Sequence, residues 1–468
     1  RGDGERDIGG PGGDVEHAIA RGQGAERGHQ APSPAPVHAQ AHHAVQQIVA
    51  AGDAVEHGAA AHGLRGGGQL GHGITIGVAT VGGLTTGTYA LVALGHLPSI
   101  FIVLTAYVFV TPFSGIAELN LLERIVKAYV PEAPDQLGLF VLLAVTLLNI
   151  FSVDIFASVQ NFIVYVMIIS AIIVGFAGLV GSDASAHASN LFPATGSQGG
   201  DSSLLDLMVL VLWSFAGLEF VCPMLEESKD PDRHLPRAMI AGAILLLVIY
   251  SLFTIGALRS MPRDELIGTE TPHRLLVESL FGRSAKWIIL PLAVATSTCM
   301  MNAVIASTSR ILFGMAHHGQ LPAFLMKVHP TWKTPWLAIV IVFLSIAIPQ
   351  AILHDSQEML ILLLLSGTSL WLLGYMTAHL NVIILRRRYG GLHRPFRTPA
   401  YPLPQILGIA GMTYVLFRNA PSPDMRYRVY TITAFMVTIA LVYGICWVRW
   451  HMKRPLFEKA TIEQTLRD

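Results

Sequence analysis

The chain has 468 residues and equal numbers of basic and acidic side chains, 31 of each, so its formal net charge is zero. Hydrophobic residues make up 52% and charged residues 13%, with a mean hydropathy of +0.52, whereas soluble domains carry roughly 25% charged residues. These proportions exclude an ordinary soluble globule, and the zero net charge leaves no electrostatic case for a nucleic-acid partner.

Residues 1–73 contain no Phe, Trp, Tyr, Met, Cys, Lys, Asn or Thr, and no window there is apolar enough to span a bilayer. Two readings fit: a disordered cytoplasmic tail, or GC-rich DNA translated in a wrong frame. Gly66–Gly71 fits G-x-G-x-x-G, but no strand-like run precedes it and no acid follows at the required distance. His38, His42 and His43 could chelate a metal if helical, though solvated histidines fit such a low-complexity segment better.

Residues 74–450 read as a transmembrane domain. Candidate spans fall near 74–95, 98–117, 137–152, 155–181, 204–225, 238–258, 287–309, 335–353, 358–385, 402–417 and 429–448, eleven in all. The first is rich in Gly and Thr. A Ser-Val-Asp turn separates the third from the fourth and places Asp154 at the interface, and the tenth is short and opens with two prolines. Cys222, Cys299 and Cys446 all lie in spans and read as buried thiols. Residues 451–468 form a C-terminal tail. Lys and Arg collect in one set of loops: Lys229, Arg233 and Arg237; Lys327 and Lys333; Arg386–Arg388, Arg394 and Arg397; and Arg449, Lys453, Arg454 and Lys459 toward the tail. The opposite set is poorer, although the loop near 259–286 breaks the trend with several arginines accompanied by acidic residues. The basic set and the C-terminus are expected in the cytoplasm, because basic loops stay inside.

Residues 213–237 carry the most information. The stretch begins inside the span near 204–225 and places one carboxylate, Glu219, deep in it. A charge at that depth is expensive and usually lines a cavity or pathway. Ser214-Phe215-Ala216-Gly217 beside it is a plausible break in the helix. A broken helix with a midplane carboxylate is the sequence pointer to a transporter binding site. Glu219 has two readings: a structural carboxylate bonded to exposed backbone amides, or a gate or proton-linked residue. Farther on, Thr296, Ser297, Thr298, Asn302 and Ser307 make the span near 287–309 polar. Such groups often bond across helices, and Asn302 could instead face a substrate. His379 reads as an interfacial histidine.

Phe215, Gly217, Glu219, Glu226, Glu227, Lys229, Asp230, Pro231, Arg233, Leu235, Pro236, Arg237 and Ala238 resemble helix 6 and the following loop of the amino acid–polyamine–organocation (APC) transporters. Asp230 and Leu235 are mild departures. Ser309-Arg310 through Phe313 and Ala316, then Gly319, Leu321-Pro322 and Thr334-Pro335, resemble the cytoplasmic end of family helix 8 and the loop into helix 9. Arg386–Pro402 resembles the connection from helix 10 to helix 11. Leu148-Asn149-Ile150 with Val159-Gln160-Asn161 resembles the helix 4–5 junction. Met167 stands where some members place a Lys, so a Lys-based coupling scheme is not implied.

The resemblance implies an all-α, polytopic membrane bundle with the LeuT-like 5+5 inverted repeat. About eleven spans are recognisable, and family helix 1 has no counterpart. It further implies membrane transport of amino acids or related amines by alternating access, as a permease or exchanger in the plasma or inner membrane. Trp213, Ser214, Phe215, Ala216, Gly217, Glu219 and Asn302 would bind substrate. Glu226, Glu227, Lys229, Arg233, Arg237 and Arg310 would form the cytoplasmic loop and gate. The partners implied are the small-molecule substrate, the lipid bilayer and a coupling proton or counter-substrate; no cofactor or metal is implied. H-E-x-x-H, G-x-S-x-G and P-loop motifs are absent from the chain, which argues against an enzyme. The alternative is an inactive transporter remnant or another non-transporting membrane protein.

Overall fold

The computed structural model describes residues 85–151, 153–180, 231–262, 271–353, 357–390, 400–420 and 422–461, with positions 214, 217, 220, 265, 266, 269 and 398 between them. Among these residues there is no β-strand. The chain forms α1 (Thr85–Ala93), α2 (His96–Val103), α3 (Val110–Tyr129), α4 (Leu137–Phe151), α5 (Val153–Val180), α6 (Pro231–Ser260), α7 (Pro272–Phe281), α8 (Ala285–His317), α9 (Trp336–Ile352), α10 (Gln357–Arg388), α11 (Leu403–Phe417) and α12 (Pro423–Cys446). Among the described residues six stretches are long and apolar enough to cross a membrane: His96–Tyr129, Phe162–Val180, Pro236–Ser260, Pro272–His317, Glu358–Arg388 and Pro423–His451. Three shorter apolar helices, α4, α9 and α11, join them. The described chain is thus a polytopic helical bundle. Of the remaining expected spans, 74–95 is described only from Thr85, and 204–225 only at Ser214, Gly217 and Phe220. Residues 1–73 lie outside the described residues.

The helix ends follow from local chemistry. Ser422 caps α12, its hydroxyl accepting from the Met425 amide at 3.2 Å, with Pro423 at the first helical position and Asp424 in the first turn. At the end of α8 the Gln320 amide bonds the Met315 carbonyl at 2.8 Å and the Gly319 amide bonds that of Ala316 at 3.0 Å. With Gly319 at φ +69° this is a Schellman ending. Glu123, on α3, accepts from the Gly138 amide at 2.8 Å and so caps α4 from a neighbouring helix. Asp154, expected in a turn, has its backbone in the first turn of α5, which begins at Val153; its side chain lies outside the described residues.

The α2–α3 stretch is central. It runs 34 residues, and 78% of its most apolar window is buried, against 17% for α5 and 11% for α6. At 1.5 Å per residue it is about 50 Å long, more than a bilayer core of about 30 Å needs. Helices α8, α9 and α10 pack on α3. Where α10 crosses, a Cβ added to Gly374 would collide with the Cβ of Ala106, so glycine sets that approach.

Candidate functional site

The α2–α3 stretch does not coil uniformly. Leu104–Val108 forms a π-turn, a widening that often accompanies functional positions, and it carries Tyr107. Three residues before Phe220, whose ring meets Tyr107, Gly217 has φ +109°, which a right-handed helix cannot accommodate. The Phe220 amide bonds back to the Gly217 carbonyl at 3.0 Å, closing a tight turn. Among the described residues, a Cβ on Gly217 would meet the Phe220 ring, at the ordinary contact distance of 3.7 Å. The positive φ by itself calls for glycine here. The Ser214 carbonyl accepts from the Tyr250 hydroxyl of α6 at 3.1 Å, so a side chain satisfies backbone in this stretch.

Phe220 carries the stretch into an aromatic cluster. Its ring meets Tyr107 edge-on, centroids 5.8 Å apart at 71°, and lies 6.0 Å from Trp371 of α10. Tyr375, one turn beyond Trp371, lies 5.9 Å from it. These geometries suit the ring quadrupoles.

A polar seam runs alongside. The hydroxyls of Thr111 on α3 and Thr308 on α8 are 3.0 Å apart. Ser297 on α8 donates to the Glu118 carboxylate on α3 at 2.7 Å. Gln350 on α9 donates to Asn120 on α3 at 2.6 Å. Asn149 on α4 donates to the side-chain oxygen of Asn302 on α8 at 2.7 Å. Asn302, a candidate substrate contact, thus also ties α8 to α4, as amides in membrane helices often do. Sequence reasoning missed Glu118. The expected span ended at 117, one residue before it, whereas the helix continues to Tyr129. Two signals were present: a carboxylate inside an apolar stretch and a serine inside another.

The other expected site residues fall differently. Trp213, Phe215, Ala216, Glu219, Glu226, Glu227 and Lys229 lie outside the described residues. Arg233 belongs to α6 by its backbone, and its side chain is not described; Arg237 is exposed. Arg310 is buried, 8% exposed, and donates to the Ala306 carbonyl one turn earlier at 3.2 Å. One end of the bundle gathers several basic segments. Gln320 donates to Ser99 at 3.0 Å, Trp447 to the Gly319 carbonyl at 2.8 Å and Arg388 to the Val92 carbonyl at 3.1 Å. Arg454 lies 3.4 Å from His96 there. Among the described residues no cluster of His, Cys, Asp or Glu could hold a metal ion, and Cys299 and Cys446 are thiols, not half-cystines.

A polytopic bundle with a broken stretch against an aromatic cluster and a polar seam has the form of a membrane transporter. Residues 75–444 match the family model described as amino acid permease. The chain belongs to that family, within the APC superfamily expected from its motifs. The serine/threonine exchanger SteT of Bacillus subtilis (strain 168) is 29% identical over 236 residues, 48% of this chain and 51% of that protein. The branched-chain amino acid permease BcaP of the same organism is 26% identical over 257 residues, 54% and 52% respectively. The gamma-aminobutyric acid permease of Escherichia coli (strain K12) is 25% identical over 366 residues, 74% and 77%. The chain spans about half the length of the first two relatives.

Proposed function

We propose that this protein is an amino acid permease or exchanger that moves an amino acid or related amine across the plasma or inner membrane by alternating access. The observation that carries the reading is the turn at Gly217, held at φ +109° and leading into Phe220, whose ring meets Tyr107 and Trp371. A break inside a spanning helix frees backbone N–H and C=O groups, which can hold a substrate's carboxylate and ammonium. Trp213, Ser214, Phe215, Ala216, Gly217 and Glu219 form this half of the site, with Asn302 beside it. The aromatic rings suit a substrate with an uncharged side chain. The named relatives include a serine/threonine exchanger and a branched-chain amino acid permease, which supports that class. Glu226, Glu227, Lys229, Arg233, Arg237 and Arg310 form the cytoplasmic loop and gate, the C-terminus is cytoplasmic, and a proton or counter-substrate couples the cycle.

The test is binding. Purified full chain in lipid nanodiscs is titrated with radiolabelled L-threonine, L-leucine and γ-aminobutyrate. At least one should bind saturably and be displaced by its unlabelled form. Absence of saturable binding for amino acids of every side-chain class would contradict the proposal.

A further inference from the structure

At the C-terminal end of α12 lies a cleft of about 330 Å3 lined by Tyr443, Cys446, Trp447, Trp450 and His451. One wall is a ladder of rings at four-residue steps. Tyr443 and Trp447 stack with centroids 5.4 Å apart and planes 18° from parallel, and His451 follows 4.1 Å from Trp447. The ladder is anchored from behind. The Tyr443 hydroxyl donates to the Gln320 carbonyl at 3.0 Å and the Trp447 indole N–H to that of Gly319 at 2.8 Å. Trp447–His451 is itself a π-turn. Trp450, also lining the cleft, is 74% exposed.

This arrangement differs from a general interfacial belt. A belt tryptophan directs its N–H toward water and headgroups. Trp447 spends its N–H on the protein, which leaves ring surface as its contribution to the cleft. Charge distinguishes the cleft as well. Arg449, Lys453 and Arg454 are exposed in and just after the same turn, and no Asp or Glu occurs between Trp447 and Phe457. Arg454 is partly engaged at His96; Arg449 and Lys453 have high exposure. The span that carries the cleft, Pro423–His451, is only 22% buried over its most apolar window, so it borders the bilayer. Aromatic surface beside cationic groups at the end of a spanning helix matches the chemistry of an anionic lipid, which joins acyl chains to a phosphate diester.

We propose that this cleft binds one anionic phospholipid. The first part of an acyl chain lies along the Tyr443–Trp447–His451 ladder, and the phosphodiester meets Arg449 and Lys453. The site is independent of the transport reading, and its test needs no transport.

The full chain is placed in phosphatidylcholine nanodiscs doped with either brominated phosphatidylglycerol or brominated phosphatidylcholine, and tryptophan emission is read. The chain has seven tryptophans, so the difference between wild type and Trp450→Phe isolates Trp450. Phosphatidylglycerol should quench this component about fivefold more effectively than phosphatidylcholine at equal mole fraction, because the basic pair favours the anionic head. The Arg449→Gln/Lys453→Gln variant should lose that preference while keeping its elution volume and helix content. Native mass spectrometry of the wild-type chain should retain one phosphatidylglycerol. Soluble glycerol phosphate should not displace it, since the acyl chain holds part of the site. Equal quenching by both lipids would mean a general interface and overturn the proposal. Quenching by neither would mean the face is covered, as by a second copy, and would overturn it too. Displacement by glycerol phosphate would assign the site to a soluble phosphate and overturn it as well.

Discussion

Gly217 allows backbone strain and site blockage to be separated. Its φ of +109° is a conformation that costs a side-chain-bearing residue about 1–3 kcal/mol. Among the described residues, an added Cβ meets the Phe220 ring at an ordinary 3.7 Å. Gly217→Ala should therefore act chiefly through the backbone. That cost corresponds to about a 5- to 150-fold fall in the population of the broken form, at 1.4 kcal/mol per factor of ten. Gly217→Leu adds a bulky side chain to the same strain and should abolish binding. Gly282 is the control: its φ is +54°, and an added Cβ would have nothing within 4 Å. Gly282→Ala should lower thermal stability without changing affinity. The assay is a radioligand isotherm with a melting curve for each variant in nanodiscs. Wild-type affinity in both Gly217 variants would refute the assignment of the site to this turn.

Gly374→Ala should destabilise the bundle by about 1–3 kcal/mol, the range for overpacking a filled contact. Ala106→Gly in the same chain should recover most of the loss, read as the midpoint of thermal unfolding; no recovery would mean the two do not meet. Thr111→Val and Thr308→Val, singly and together, should show a coupling of about 0.5–1.5 kcal/mol, as hydrogen bonds between membrane helices do. Strictly additive effects would deny the 3.0 Å pair. Cysteines introduced as Asp232→Cys and Leu392→Cys should resist a membrane-impermeant thiol reagent in intact cells, because basic loops stay inside. Labelling of both from outside would reverse the orientation.

Most of the helices were legible because apolar runs here end at punctuation the chain displays. Thr334-Pro335 opens α9, Ser422-Pro423 opens α12 and Gly319 closes α8. The motif around Gly217 was legible as a break because Ser-Phe-Ala-Gly sits beside a carboxylate. The C-terminal half of α3 was not. Glu118, Glu123, Arg124 and Lys127 look like the end of a span, yet the helix continues through them. Glu118 meets Ser297, 179 residues away in the chain, and Glu123 meets the amide of Gly138. Such partners carry no local signal, so charge alone misreads their depth. The π-turns at Leu104 and Trp447 were likewise invisible, since their residues are ordinary helix formers whose extra residue per turn is set by packing. Asn302 was legible as a polar residue in a span, but its bond to Asn149 was not.

Counterflow tests the central claim most directly. The full chain is reconstituted in liposomes loaded with millimolar unlabelled amino acid, and trace radiolabelled amino acid of the same kind is supplied outside. An alternating-access permease must accumulate the label transiently above its equilibrium level, with saturation and with loss of the signal in Gly217→Leu. Label that enters no faster than into protein-free liposomes, for substrates that bind saturably to the same preparation, would contradict the account.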